Sequence, residues 1–177
     1  ISSGNDGLDV DAQAHYPSSY DLECIISVGA SDRNDEHAYF SNYGFRDVDL
    51  VAPGVDIYSL SSSSNSSYEF ADGTSMASPH VSGVLALMRS VQPAWSNLEI
   101  REQLLSSVDV LASLEGLVQT SGRLNAFTAV DGMSSKVPDG NMEISISPPS
   151  GSMLLAGADQ EFFVTVIDGG PVKNATV

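Results

Sequence analysis

The sequence predicts a layered α/β domain followed by the start of an all-β module, and three observations lead there. Short β-branched apolar runs bounded by Gly, Pro and Asp, "CIISVGA" (24–30) and "VDLVAP" (48–53), read as buried strands. Two longer stretches, one opening at Ser75 and one at Trp95, repeat apolar residues at helical spacing. After residue 132 the pattern changes: "MEISISP" (142–148) and "EFFVTVID" (161–168) alternate in the manner of half-buried strands.

Taken in order, the run at 24–30 places Cys24 inside a buried strand, as a small apolar thiol rather than a reactive one. Polar, turn-rich sequence separates it from the strand at 48–53. The serine run "SLSSSSNSS" (59–67) is low in complexity and reads as a flexible, solvated loop. Next, Met76, Ala77, Val81, Val84, Leu85, Leu87, Met88 and Val91 surround most of a helix, which predicts a central, largely buried one. Pro79 reads as first turn, where it disturbs few hydrogen bonds, and Ala77, Ser78 and Gly83 are small enough for close passage beneath other elements.

"WSNLEIREQLLSSV" (95–108) is a second helix, capped by Ser96 or Asn97, with Ile100, Leu104, Leu105 and Val108 at helical spacing. "GRLNAFTAVDG" (122–132) sets Leu124, Phe127 and Val130 on one face of a third. The first domain is therefore expected over 1–132, a linker over 133–141, and a module of the immunoglobulin-like sandwich kind over 142–177, with "PVKNATV" opening its third strand. Three strands do not close such a sandwich.

Composition narrows the function classes. Seven basic residues against 23 acidic give a formal charge of −16, which repels a nucleic-acid backbone or an anionic membrane surface. No apolar run is long enough to cross a bilayer. One cysteine permits neither an internal disulfide nor a cysteine-based zinc cluster.

The chemistry centres on "FADGTSMASPHVSGVLALM" (70–88). A nucleophilic serine needs a base, donors for the oxyanion and a backbone that admits the substrate. Gly73 removes a side chain beside the reacting bond, and Ser75 at a helix start offers its own N–H and the positive end of the helix dipole. A bare G-x-S would more simply be a helix cap at Thr74 or Ser75. The eleven residues "GTSMASPHVSG", however, resemble the nucleophile segment of the subtilisin-like serine proteases, the subtilases. The resemblance runs on in order through "SSGNDG" (2–7), "YPSSYDLECIISVGASD", "FSNYG", "DLVAPGVDI" and "GRLNAFTAV", covering residues 1 to about 132.

That resemblance implies a subtilisin-like three-layer fold with a mostly parallel sheet, of which this chain carries the C-terminal half of the catalytic domain. It implies a secreted serine endopeptidase acting on protein or peptide substrates through an acyl-enzyme, with no organic cofactor. Ser75 would be the nucleophile and Asn5 the oxyanion donor, against the simpler reading of "GNDG" as a turn. Ser2, Ser3 and Gly4 would line the P1 side chain, Gly73 and Thr74 would flank the scissile bond, and His15 would stand at the pocket floor, making the pocket shallower and more polar. His80, five residues after Ser75 and about 140° away around the helix, is expected to be a structural histidine packed near the helix start.

In this family the aspartate and histidine of the triad precede the serine. Neither has a recognisable motif here, and His15 and His37 sit in polar loops. The chain is thus expected to depend on the N-terminal half of the domain as a partner, to be inactive alone, and to aggregate through an exposed sheet edge without it. Asp6, Asp9 and Asp11 are candidates for a structural calcium site, although D-x-x-D-x-D matches no standard loop and a solvated acidic loop explains them as well. Two rival functions stand beside peptide hydrolysis: a catalytically inactive binding or adhesion protein, and a transpeptidase or macrocyclase of the same family.

Overall fold

The computed structural model describes residues 1–134, 142–147 and 163–168. It divides into two compact units, Ile1–Lys136 and Val137–Val177.

The first unit is built on strands β1 (Val28–Ser31) and β2 (Leu50–Pro53), which pair in parallel with Gly29 opposite Val51. Two short strands extend the sheet: β6 (Gly122–Arg123) runs parallel to β2, and β5 (Asp109–Val110) runs antiparallel to β6, giving the order β1-β2-β6-β5. Val28, Ala30, Leu50, Val51 and Ala52 are fully buried, so both faces of these strands are covered and the sequence reads as an apolar run rather than an alternation. Helix α1 (Thr74–Val91) packs on β1 and β2. Val51 joins Val10, Val48, Leu114 and Val118 in a separate buried cluster. Burying each large aliphatic chain of this core contributes about 1.5–3 kcal/mol.

Helix α1 buries a single stripe, Thr74, Ala77, Val81, Val84, Met88 and Val91, at the i, i+3, i+4 rhythm of one face. Around the rest of the helix Met76, Ser78, Leu85, Leu87 and Arg89 are half-buried, and Ser75, Pro79, His80, Ser82, Gly83, Ala86 and Ser90 are exposed. Gly83 meets nothing within 4 Å, and only Ala77 serves the close passage expected of the small residues. Pro79 lies within the helix, beyond the first turn, and its missing N–H removes the bond that the Ser75 carbonyl would otherwise accept.

Helix α2 (Asn97–Ser106) begins at Ser96, whose hydroxyl accepts the Glu99 N–H while the Glu99 carboxylate takes the Ser96 N–H, a reciprocal capping box. Ile100 and Leu104 form its buried face. Helix α3 (Ala126–Ser134) is opened by Asn125, whose side chain accepts the Thr128 N–H at 2.9 Å. It departs from the expected face: Ala129 and Met133 are buried, Leu124 precedes the helix, and Phe127 is 65% exposed. α3 packs on α1 and α2, and that contact selects the smaller residues one turn apart.

Two further expectations are corrected. Cys24 is exposed, because β1 starts only at Val28 and a turn closed by Ile25 N–H to the Leu22 carbonyl precedes it. The serine run is part of a hairpin: β3 (Ile57–Leu60) and β4 (Tyr68–Ala71) pair antiparallel, with Tyr58 opposite Phe70 and Leu60 opposite Tyr68. Its tip is cross-linked by its own hydroxyls, Ser63 to Ser67 at 2.8 Å and Ser64 N–H to Ser67 Oγ at 2.9 Å. Tyr58 and Tyr68 stack with ring centroids 5.4 Å apart.

In the second unit, β7 (Met142–Ser147) and β8 (Phe163–Asp168) pair antiparallel, with Ile144 opposite Val166. Of the linker expected over 133–141, residues 133 and 134 belong to α3, and the remainder, the third strand at 171–177 and the immunoglobulin-like closure expected of this module lie outside the described residues.

Candidate active site

Three segments of the first unit meet at the N-terminus of α1: the loop after the Ser2–Val28 bridge, the end of the β3–β4 hairpin, and the helix itself. The first N–H groups of a helix have no partner within it. Here the Thr74 N–H is taken by the side chain of Asn5, Oδ1 accepting at 2.9 Å, and the Met76 N–H by the Gly73 carbonyl at 3.0 Å. The Ser75 N–H is left without a partner among the described residues. Asn5 therefore acts as a cap supplied from 69 residues away.

The cap also fixes which way Asn5 faces. Oδ1 accepts a second bond, from the Thr74 hydroxyl at 2.8 Å, and Thr74 Oγ1 in turn accepts the Gly4 N–H at 3.2 Å. With two donors on Oδ1, the amide nitrogen must point the other way. It points over Gly73, where a Cβ would lie 3.3 Å from Asn5 Nδ2 and 3.6 Å from Ser75 N. Two N–H donors thus flank one small space, and Gly73, at φ 150°, keeps it open.

Ser75 is exposed at the second position of α1. An open cleft of about 390 Å³ runs beside it, bordered by Ile57, Ser59, Ala71, Met76 and His80. His80 is exposed, not packed as expected, and its Nδ1–H donates to the Met76 carbonyl at 2.8 Å.

The expected pocket residues are near one another. Gly4 adopts φ 106°, and a Cβ on it would meet the His15 ring at 3.0 Å. The Ser18 hydroxyl donates to the His15 carbonyl at 2.6 Å and so accepts from the ring Nδ1–H at 3.2 Å, which holds the imidazole over Gly4. Ser3 is fully buried and spends its hydroxyl on the Asn42 carbonyl at 3.2 Å, so its side chain serves the loop. Ser2 bridges Val28.

The acidic loop does not gather. The Asp11 carboxylate accepts the N–H groups of Arg46 and Asp47 and faces the Arg46 guanidinium, and Asp9 accepts the Asp11 N–H at 3.0 Å. Among the described residues no group of three His, Cys, Asp or Glu side chains converges to hold a metal. No described helix is long and apolar enough to cross a membrane.

Sequence reasoning missed two parts of this arrangement. Asn42, read only as part of "FSNYG", is fully buried and makes its side-chain bonds to the loop that carries Asn5. Asp49 is buried beside Arg101, 2.5 Å away, and the Ser27 N–H, 2.7 Å away; burial raises its carboxyl above the usual range while these two partners oppose it. Neither position carries a local pattern, because each side chain works on a segment distant in sequence.

A family model described as "Subtilase family" matches residues 1–136. The chain belongs to this family. Subtilisin BL of Lederbergia lenta is 40% identical over 128 residues, covering 72% of this chain and 44% of that protein. The alkaline protease of Shouchella clausii is 40% identical over 128 residues, 72% of this chain and 31% of its own length. Among solved structures, a Pseudoalteromonas arctica protease matches with TM-score 0.63 and 30% identity, over 75% of this chain and 41% of the other. The subtilase cytotoxin SubAB structure matches with TM-score 0.67 and 29% identity, over 76% and 48%. The chain spans less than half the length of these relatives. The subtilase-like fold and membership of a serine protease family follow from these likenesses.

Proposed function

We propose that the intact protein is a secreted serine endopeptidase in which Ser75 attacks the scissile carbonyl and an acyl-enzyme is then hydrolysed. The observation that carries this reading is the pair of N–H donors, Asn5 Nδ2 and Ser75 N, flanking the space that Gly73 leaves open. Charge develops on the carbonyl oxygen as the tetrahedral intermediate forms, and fixed donors about 2.7–3.1 Å from that oxygen stabilise it without reorganisation. A helix cap needs Oδ1 of Asn5 alone. An aimed, unspent amide nitrogen beside an exposed serine serves catalysis.

The base is not among the described histidines: His15 is held over Gly4, His80 is tied to the Met76 carbonyl, and His37 stands in the loop after β1. The family order puts the aspartate and histidine ahead of the serine, and on that reading the chain alone is inactive. His15 over Gly4 shortens the P1 pocket and gives it a polar floor. The protease names of the relatives support protein substrates, while secretion and a structural calcium ion rest on the family resemblance alone.

Peptide hydrolysis by the intact protein, compared with its Ser75→Ala form, tests the reading. Loss of at least about 10³-fold in kcat is expected. Equal turnover by the two forms would overturn it, and ligated rather than hydrolysed products would assign the acyl group to a transpeptidase.

A further inference from the structure

Asn42 gives its whole side chain to one segment. Oδ1 accepts the backbone N–H groups of Asp6 and Leu8, each at 3.0 Å, and Nδ2 donates to the Ser3 carbonyl at 3.0 Å. Its backbone engages the same segment: its N–H donates to the Gly4 carbonyl at 2.9 Å, and its carbonyl accepts the Ser3 hydroxyl at 3.2 Å. These bonds fall on both sides of Asn5 and none is made to Asn5 itself. Asn42 is fully buried, so water does not substitute for them.

We propose that Asn42 is a positioning residue for the reaction: it fixes the backbone of loop 3–8 and so aims Asn5 Nδ2 at the space beside the Ser75 N–H. The proposal rests on the oxyanion role assigned above to Asn5. An amide is the one side chain of this size that accepts two N–H bonds at one end and donates to a carbonyl at the other. Aspartate keeps the acceptors but sets a negative charge against the Ser3 carbonyl, and alanine leaves three backbone groups without their partner. Asn5 is anchored at Oδ1 by Thr74, so displacement of its backbone rotates the amide about that anchor and moves the nitrogen. A misplacement of about 1 Å costs on the order of 10²-fold in rate.

The test is a double-mutant cycle in the intact protein, with Asn42→Ala and Asn42→Asp each made alone and in an Asn5→Ala background, followed by steady-state kinetics on a peptide substrate. Alone, each variant is expected to lower kcat by about 10–100-fold, with a rise in KM as well because the Ser3 and Gly4 backbone that Asn42 holds also lines the P1 side chain. In the Asn5→Ala background the further loss in kcat should be less than about two-fold, because no donor remains to be aimed. A merely structural residue would cost the same in both backgrounds, and that result, or an unchanged kcat in the single variants, would overturn the proposal. Should Asn42→Ala fail to fold, Asn42→Asp, which keeps the Asp6 and Leu8 bonds, is read by the same criteria. An Asn5→Ala form with undiminished kcat would remove the oxyanion role and this proposal with it; loss in Asn5→Ala without loss in the Asn42 variants would remove this proposal alone.

Discussion

Gly73→Ala is the perturbation that reads the oxyanion geometry most sharply. A methyl group there would sit 3.3 Å from Asn5 Nδ2 and 3.6 Å from Ser75 N, in the volume where an oxygen bonded to both would lie. It therefore blocks two donors at once without removing either. In a subtilisin, loss of one such donor costs about 10²–10³ in turnover. Blocking both predicts a fall in kcat/KM of at least about 10³-fold. The backbone adds a second effect, since φ 150° with ψ 158° is strained for any residue with a Cβ, at about 1–3 kcal/mol. Reduced freedom of the unfolded chain returns about 0.4–1 kcal/mol, leaving a net destabilisation of at most about 2.5 kcal/mol. Kinetics on a peptide substrate and a thermal melt of the intact protein separate the two effects. A folded Gly73→Ala protein with kcat/KM within three-fold of the parent would refute the placement of the oxyanion.

His15→Gly should open the pocket over Gly4 and raise kcat/KM for large aromatic P1 residues relative to small ones by about 10-fold or more, read on a P1 library; an unchanged profile would take His15 out of the pocket. Ser96→Ala removes the α2 capping box and should lower stability by about 1 kcal/mol with catalysis untouched, measured by urea unfolding; no change would mean the box contributes nothing. His37 is half-buried, its Nε2 has no partner among the described residues, and burial lowers its pKa below the usual range against an opposing bond to the Asn42 backbone. The unfolded chain then takes up its proton first, so this contribution to stability is complete above about pH 6.5 and is lost as pH falls below it. His37→Phe should flatten that part of the urea midpoint against pH; superimposable profiles would exclude His37 as the source.

How much of this was legible follows from where the determinants lie. α2 and its cap could be read because Ser96, Glu99, Ile100 and Leu104 act within one stretch of chain. Family membership could be read because motifs such as "GTSMASPHVSG" are contiguous in sequence. The β3–β4 hairpin could not: each strand is four residues long, and its exposed aromatics pair across a serine-rich tip that hides the alternation. Phe127 misled because the larger apolar residue was assigned to the core, while packing on α1 and α2 selected Ala129 and Met133. Asn42 was hidden for the same reason as the Asn5 cap: the groups it satisfies lie 34–39 residues away, and buried backbone bonding leaves no local pattern.

The central claim is that Ser75 is an activated nucleophile beside an oxyanion site. Fluorophosphonate labelling of the intact protein, with peptide mapping of the adduct, tests it most directly. The account predicts a single adduct on Ser75, lost in Ser75→Ala and slowed in Asn5→Ala. A folded, intact protein that takes no label at Ser75 would contradict it and leave the fold as a binding scaffold.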